Sequence, residues 1–372
     1  MGEQYAEAEI SLSAIRENTA AFTRRMAPAA VMAVVKADGY GHGAVASARA
    51  ALDGGATWLG VVHVREALEL REAGIGAPVL VMMAIGGDDH AAAVRRGVDL
   101  SASTVEMVRC LAKAATEAGR PARVHLKADT GLNRGGATRD DWPSVVSAAM
   151  EEQAAGRLVV TGLWSHFASS DDPGNPSIRE QVSVFRESIE IAEKSGISPE
   201  VRHLGNTAGA IGVPEARFDL VRIGGGIYGL STLPGGAPGW LTPAMTLKAR
   251  LIQVKRVPAG AGVSYNHRYV TSRDTTLGLL PLGYADGVPR GATNARLAFT
   301  RGRRWQIAGT VCMDQLVIDF GDEPMTAGEE VVLFGPGGAG EPTAQEWGEA
   351  LGTISYEIVT GIGPRVPRSY TP

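Results

Sequence analysis

The stretch VMAVVKADGYGHGA, residues 31–44, raises the question of why a lysine ends an apolar run. Residues 31–35 are apolar or small, and such a short valine-rich run is typical of a strand buried on both faces. A glycine-rich turn follows at residues 38–43, and residues 44–52 predict a helix. Lys36 therefore stands at the carboxyl end of a buried strand, at the mouth of a strand-to-helix loop.

Two interpretations of Lys36 are open at this point. A lone lysine at a strand end is usually a solvated charge, since lysine is rarely fully buried. Alternatively, a lysine drawn into a pocket loses solvation, which lowers the pKa of the amine and frees it as a nucleophile. The rest of the chain has to decide between them.

Outward from this stretch, short apolar segments alternate with helical patterns as far as about Leu230. Strands are predicted at residues 31–36, 57–62, 77–83, 97–103, 122–129, 157–166, 200–206 and 218–224. This alternation predicts an α/β fold in which residues 12–233 form a (β/α)₈ TIM-type barrel. A doubly wound open sheet is the competing arrangement.

The pattern changes at a linker rich in proline and glycine, TLPGGAPGWLTPAM, residues 232–245. Short strand-like segments follow at residues 245–257, 275–284, 305–314, 315–320 and 329–335, and helical periodicity returns only at residues 343–352. Residues 241–372 are therefore predicted to form a mostly β C-terminal domain, joined by an N-terminal strand at residues 5–11.

Composition excludes several classes of protein. The chain has 372 residues, of which 44% are hydrophobic and 20% charged, as in ordinary globular proteins. A net charge of -4 without a long basic run argues against nucleic acid as a partner. No apolar stretch reaches the roughly 18 residues of a membrane span. Cys110 and Cys312 make no disulfide framework, and without a secretory-type start the cytoplasm is expected.

Polar side chains stand at the ends of the predicted barrel strands, where a barrel of this kind carries its active site. They are Lys36 and Tyr40 after the first strand, Lys127, Asp129 and Arg134 after the fifth, Ser165 and His166 after the sixth, His203, Asn206 and Thr207 after the seventh, and Arg222 with Gly224–Gly226 after the eighth. Each has an ordinary explanation alone. Together they bring cationic and hydrogen-bonding groups to one mouth.

The three-glycine turn offers free backbone N–H groups, which suit a phosphate. A phosphate site with a lysine across the barrel suggests pyridoxal 5'-phosphate, because a lysine can bond covalently to the aldehyde of that cofactor. On this interpretation Lys36 is present to hold a cofactor. No group of residues here suggests a metal.

Seven motifs resemble those of bacterial alanine racemases, in order from Tyr5 to Arg368: AVVKADGYGHGA, DTGLNRGG, HLGNTAG, VRIGGGIYG, LGYADGVPR, VCMDQ and RVPR. The tail IGPRVPRSY is similar to the actinobacterial branch. The resemblance implies interconversion of L-alanine and D-alanine with pyridoxal 5'-phosphate, which supplies D-alanine for peptidoglycan. It also implies a homodimer whose two active sites are shared between the subunits.

The resemblance also implies a role for individual residues. Lys36 and Tyr265 look like the two catalytic bases, and His166 like the histidine that hydrogen-bonds this tyrosine. The cofactor-binding positions are Lys36, Tyr40, His166, Asn206, Thr207, Arg222, Gly224, Gly225 and Tyr356. Arg134 and Met313 look like substrate-binding residues, Lys127 like a lysine carried as a carbamate, Tyr284 and Tyr356 like a constriction of the access path, and Asp314 lies beside Met313.

Racemisation needs a base on each face of the substrate carbon, which Lys36 and Tyr265 would supply. Arg222 can only donate hydrogen bonds, so a pyridine nitrogen facing it stays unprotonated. Three alternatives stay open: a serine-preferring or broader racemase, an amino-acid decarboxylase of the same fold, and a non-catalytic barrel protein that binds pyridoxal phosphate.

Overall fold

The computed structural model describes residues 5–372. The described chain opens with strand β1 (Ala6–Ser11) and helix α1 (Leu12–Met26). The Ser11 hydroxyl caps α1 by accepting a hydrogen bond from the Ala14 N–H at 3.2 Å. Eight parallel strands then form one sheet: β2 (Ala30–Val34), β3 (Trp58–Val61), β4 (Val79–Val81), β5 (Asp99–Ala102), β6 (Ala122–Lys127), β7 (Leu158–Trp164), β8 (Val201–His203) and β9 (Leu220–Ile223).

The sheet curls into a nearly closed barrel. Hydrogen-bonded neighbours run in the order β8-β7-β6-β5-β4-β3-β2-β9. The remaining gap between β8 and β9 is bridged by single backbone bonds, from Asp219 N to Arg202 O at 3.1 Å and from Arg222 N to Gly205 O at 2.9 Å. The predicted barrel is therefore confirmed, with all eight predicted strands present, and the open doubly wound sheet is wrong.

Helices connect the barrel strands and pack around them. They are α2 (Lys36–Tyr40), α3 (Ala44–Asp53), α4 (Val64–Glu72), α5 (His90–Arg95), α6 (Val105–Ala118), α7 (Trp142–Ala154), α8 (Pro176–Lys194) and α9 (Thr207–Gly212). The short α2 is a left-handed turn, with φ of 52° at Ala37, 52° at Asp38 and 62° at Gly39. Lys36 begins this turn and is separated from β2 by Val35.

Side chains fill the barrel interior. Met32, Trp58 and Leu80 form a buried apolar cluster with Leu220. The ring of Trp58 lies 5.4 Å from the ring of His125 although their strands are not neighbours, so both point inward. Polar groups therefore lie beside the apolar cluster inside the barrel. Because the interior is filled, a ligand site has to lie at the carboxyl ends of the strands.

The rest of the chain is mostly β-structure: β10 (Met245–Arg250), β11 (Gln253–Val257), β12 (Gly262–Val263), β13 (Tyr269–Val270), β14 (Thr275–Leu280), β15 (Ala298–Thr300), β16 (Arg303–Ile307), β17 (Leu316–Asp319), β18 (Glu330–Phe334), α10 (Ala344–Leu351), α11 (Ser355–Gly361) and β19 (Arg368–Thr371). A nine-stranded sheet runs in the order β11-β14-β17-β16-β15-β18-β10-β1-β19. β1 pairs antiparallel with β10 and parallel with β19.

Among the described residues, no helix combines the length and the apolar character that a bilayer crossing needs.

Candidate active site

Lys36 lies in a pocket at the barrel mouth. Its side chain lines two adjoining cavities, of about 210 Å³ and about 420 Å³. We call them the Thr207 cavity and the Lys127 cavity, after a residue that lines each. Burial and then the charge of Arg134 lower the pKa of the Lys36 amine, and Arg222 adds to this effect. The geometry therefore favours the interpretation of Lys36 as a lysine drawn into a pocket.

Hydroxyl groups and glycine backbone meet in the Thr207 cavity. The Thr207 hydroxyl accepts hydrogen bonds from the N–H groups of Gly224 at 3.2 Å and Gly226 at 3.4 Å. A Cβ atom placed on Gly224 would lie 2.3 Å from the Tyr40 hydroxyl. One on Gly225 would lie 2.3 Å from the Tyr356 hydroxyl. The glycines thus let both phenols approach the backbone closely.

The two phenols of this cavity are neutral donors at ordinary pH. Burial raises the pKa of Tyr356 to about 12. Burial and the neighbouring Tyr356 raise the pKa of Tyr40 well above its usual value. Asn206 shapes the same wall by capping α9, since its side-chain oxygen accepts from the Gly209 N–H at 2.9 Å. The wall therefore presents hydrogen-bond donors without a carboxylate among its lining residues.

Arg222 is a buried cation held by five acceptors. It donates to the carbonyl oxygens of Ser165, His203 and Leu204 at 2.9, 3.1 and 3.1 Å. It also donates to Nδ1 of His203 at 3.1 Å and to Nδ1 of His166 at 3.0 Å. Burial lowers its pKa to about 9, so it stays charged at neutral pH. This charge, after burial itself, holds the pKa of His166 well below its usual value, so His166 is a neutral acceptor.

The Lys127 cavity holds a second perturbed lysine. The Lys127 amine lies 4.6 Å above the centre of the Trp164 ring. Burial, Arg134 and Arg222 lower its pKa to about 8. Asp129 is occupied elsewhere, because its Oδ1 accepts the backbone N–H groups of Gly131 and Asn133 at 2.9 and 3.1 Å. Within residues 5–372, Lys127 has no ion pair inside 4.0 Å.

The remaining predicted site residues lie on the second domain, outside both cavities. Tyr265, Tyr284 and Met313 are exposed by 67%, 43% and 53%. Hydrogen bonds to backbone carbonyl groups join their segments on one surface: the Thr310 hydroxyl donates to the Tyr265 carbonyl at 3.2 Å, and the N–H of residue 285 donates to the Met313 carbonyl at 2.9 Å. Asp314 forms a 2.9 Å ion pair with Arg365. One chain alone therefore does not bring this surface to Lys36.

The surface around Tyr265 includes unusual backbone. Ser264 and Asn266, on either side of the tyrosine, have φ of 60° and 59°. Such left-handed conformations cost energy for residues other than glycine and often mark functional segments. The Ser264 hydroxyl steadies the turn by donating to the Thr310 carbonyl at 2.6 Å. The turn therefore leaves the Tyr265 side chain largely exposed to solvent.

Sequence reasoning missed several residues of the site. Trp164, Met82 and Thr232 line the cavities, and His125 extends the polar interior. The alternation of side chains along ARVHLK could have found His125, since it shares a face with Lys127. Met82 and Thr232 lie in segments whose pattern carries no chemical signal.

The fold and site define an enzyme built on a parallel barrel, with a lysine, an arginine and a glycine-lined pocket at the strand ends. A family model described as "Alanine racemase, N-terminal domain" matches residues 10–232, and "Alanine racemase, C-terminal domain" matches residues 244–370. The chain belongs to the alanine racemase family, as its motifs predicted.

Individual relatives agree with this assignment. An alanine racemase of Frankia casuarinae is 56% identical over 98% of this chain and 95% of that protein. One of Thermobifida fusca is 54% identical over 99% and 98%. The crystal structure of alanine racemase from D-cycloserine-producing Streptomyces lavendulae has a TM-score of 0.97 at 47% identity, over 100% of this chain and 98% of that one.

Proposed function

We propose that this protein interconverts L-alanine and D-alanine with pyridoxal 5'-phosphate as its cofactor. One observation carries the proposal: the Lys36 amine, whose pKa is lowered, shares a cavity with Arg222 and the Gly224–Gly225 turn. Family membership supports the same activity. The D-alanine formed would serve peptidoglycan synthesis.

The residues of the Thr207 cavity fit this cofactor. Its phosphate would be held by the hydroxyls of Tyr40, Thr207 and Tyr356 and by the glycine turn. The close approach of the phenols to Gly224 and Gly225 supports this, because a Cβ at either glycine would fill the cradle. Lys36 would bond to the cofactor aldehyde. When bound, the cofactor withdraws electrons from the substrate carbon and makes its α-proton removable.

Arg222 would face the pyridine nitrogen. A guanidinium group donates hydrogen bonds and accepts none, so it would leave that nitrogen unprotonated. The five acceptors around Arg222 fix its plane, which prevents it from swinging aside. Arg222 would in this way weaken the electron sink that the cofactor supplies, which would disfavour transamination and leave racemisation as the main reaction.

Two bases would move the α-proton. Lys36 serves one face, since burial and two arginines lower the pKa of its amine toward the working range. Tyr265 would serve the other face, but in one chain it is exposed and lines neither cavity. We therefore propose a head-to-tail homodimer in which each barrel mouth receives Tyr265 and Met313 from the other subunit. The same docking would bring His166 within reach of the incoming tyrosine.

Lys127 would carry a carbamate. A pKa of about 8 leaves part of the amine uncharged at neutral pH, and the uncharged amine adds to carbon dioxide with loss of a proton. The resulting anion would lie beside the positive charges of Arg134 and Arg222 that now repel the ammonium. It would orient Arg134 toward the substrate.

A panel of amino acids followed by chiral analysis tests the proposed activity. Tyr284 and Tyr356 are proposed to narrow the access path, so alanine should turn over faster than serine, and lysine and arginine should not react. A serine preference would favour the broader racemase, and carbon dioxide release would favour a decarboxylase. Bound cofactor without any turnover would favour the non-catalytic barrel protein.

A further inference from the structure

The turn that carries Lys36 is held in a costly conformation. Ala37, Asp38 and Tyr40 have φ of 52°, 52° and 54°, and Gly39 between them has 62°. Left-handed backbone is unfavourable for residues other than glycine, and it persists only where surrounding contacts fix it. The contacts that hold Ala37, the first left-handed residue, therefore help to fix the position of the Lys36 backbone and with it the start of the Lys36 side chain.

Glu66 supplies one of these contacts from a different element. Its Oε1 accepts a hydrogen bond from the Ala37 N–H at 2.7 Å. Its Oε2 accepts from the N–H groups of Val62 and His63 at 2.8 and 3.0 Å. The carboxylate thus joins the residue after Lys36 to the end of β3 and the start of α4. Bonds from N–H to an ionised carboxylate are about twice as strong as neutral ones.

The hydrogen bond from Ala37 to Glu66 is not needed to cap helix α4. Glu66 is the third residue of α4, and its bond with the His63 N–H completes a capping box there. That role is satisfied by Oε2 alone. The bond from Ala37 to Oε1 adds nothing to α4 and ties only the lysine turn.

The charge of Glu66 also acts on the Lys36 amine. The amine faces Arg134 from the loop after β6 and Arg222 from β9, which both lower its pKa, whereas Glu66 raises it. Tyr40 presents the face of its ring, with the centre 5.9 Å away, and His166 across the mouth is neutral. The negative charge of Glu66 thus opposes the effect of the two arginines on the pKa of the Lys36 amine.

We propose that Glu66 is a positioning residue for Lys36, which fastens the lysine turn through Ala37 and balances the positive charge around the amine. This inference rests on the proposed role of Lys36 as the cofactor lysine and base. Removing the charge of Glu66 leaves the arginines unopposed, so the amine loses its proton at lower pH. Removing the bond to Ala37 lets the turn relax, so the amine is less well placed for catalysis.

Competitive acetylation of the full-length chain freed of cofactor measures the first effect. Light and heavy acetic anhydride, with peptide mass analysis, give the pH at which Lys36 is half reactive. Glu66→Gln is expected to shift this midpoint to lower pH, and Glu66→Asp, whose carboxylate sits farther away, to shift it less. Glu69→Gln, an exposed carboxylate on the same helix, should not shift it.

Kinetics of the cofactor-loaded enzyme measure the second effect. Loss of one charge-assisted bond is expected to lower kcat about tenfold with KM nearly unchanged, and Glu66→Asp should recover part of the loss. The proposal would be overturned if the midpoint of Lys36 acetylation were the same in Glu66→Gln and Glu69→Gln. If Glu66→Gln does not fold, a midpoint in Glu66→Asp equal to that of the unaltered protein would overturn it. Because acetylation needs no turnover, this result stands apart from whether the substrate is alanine.

Discussion

Arg222 donates a hydrogen bond of 3.1 Å from Nη1 to Nδ1 of His203, and this contact fixes the protons along a buried chain. His203 Nε2 lies 2.9 Å from His125 Nδ1, and His125 Nε2 lies 3.2 Å from Asp99 Oδ2. Arginine only donates and an ionised carboxylate only accepts. His203 and His125 therefore each carry a proton on Nε2, pointing away from Arg222.

Asp99 anchors the far end of this chain. Burial alone would raise the pKa of its carboxyl, but hydrogen bonds from His125 and Arg123 lower it below its usual range. After burial, the charge of Arg222 contributes to holding the pKa of His203 well below 6.5. The guanidinium thus meets the uncharged, oriented ring of His203 instead of a carboxylate. This arrangement leaves the positive charge of Arg222 without a carboxylate partner beside the proposed cofactor ring.

Arg222→Glu should change the choice of reaction. A glutamate at this position can share a proton with a pyridine nitrogen, which makes the ring a stronger electron sink and favours proton return at the cofactor. We expect the ratio of transamination to racemisation to rise at least about tenfold, as about 1.4 kcal/mol of differential stabilisation would give. Single-turnover assays that follow pyruvate and D-alanine together measure it. An unchanged ratio would remove this explanation of Arg222.

Acid should destabilise the fold through buried histidines, of which His42 is the clearest. Its ring stacks on Tyr228 with centroids 4.4 Å apart, and its Nε2 has no partner among the described residues. Burial lowers the pKa of His42 to about 4, from about 6.5 in the unfolded chain. Because the folded pKa is depressed, this contribution is present above pH 6.5 and is lost as pH falls toward 4. The loss amounts to about 3 kcal/mol.

Urea unfolding between pH 7 and pH 4 checks this expectation. His42→Asn keeps a donor for the neighbouring carbonyl groups but cannot titrate, so its stability should fall less steeply with acid than that of the unaltered protein. His267→Asn, which replaces an exposed histidine, should leave the slope unchanged. Identical slopes for all three proteins would show that His42 is not the titrating group.

Lys36 should be the residue that bonds to the cofactor. Both Lys36 and Lys127 have lowered pKa values, but Lys36 alone of the two lines the Thr207 cavity. Borohydride reduction of the holoenzyme, followed by peptide mapping, should place the label on the peptide that holds Lys36. Label on Lys127 would reverse the assignment of the two lysines.

The barrel could be predicted from sequence because its signal is local and repeated. Each of the eight strands is a short apolar run between helical patterns, and polar residues at the strand ends must meet at one mouth. The second domain was predicted less completely. The run at residues 245–257 divides into β10 and β11 around Leu251-Ile252, and the short strands β15 and β19 carry too few residues for a clear alternation.

Contacts between distant segments could not be predicted in this way. The sequence predicts a glycine-rich turn from residue 38, but the left-handed backbone begins one residue earlier, at Ala37, where no glycine marks it. Glu66 lies twenty-nine positions from Ala37, and its capping pattern begins with His63 instead of serine or threonine. The tautomers of His125 and His203 depend on Asp99, which ends the row of hydrogen bonds that begins at Arg222. Such relationships depend on the three-dimensional fold.

Subunit complementation tests the shared active site most directly. Lys36→Ala and Tyr265→Ala subunits should each be inactive as homodimers. After random exchange about half of the dimers are mixed, and one site in each mixed dimer is intact, so about a quarter of all sites should recover activity. Recovery near this fraction, measured as D-alanine formed from L-alanine, is the predicted result. Confirmed exchange without any return of activity would contradict the account and would mean that each site is built within one chain.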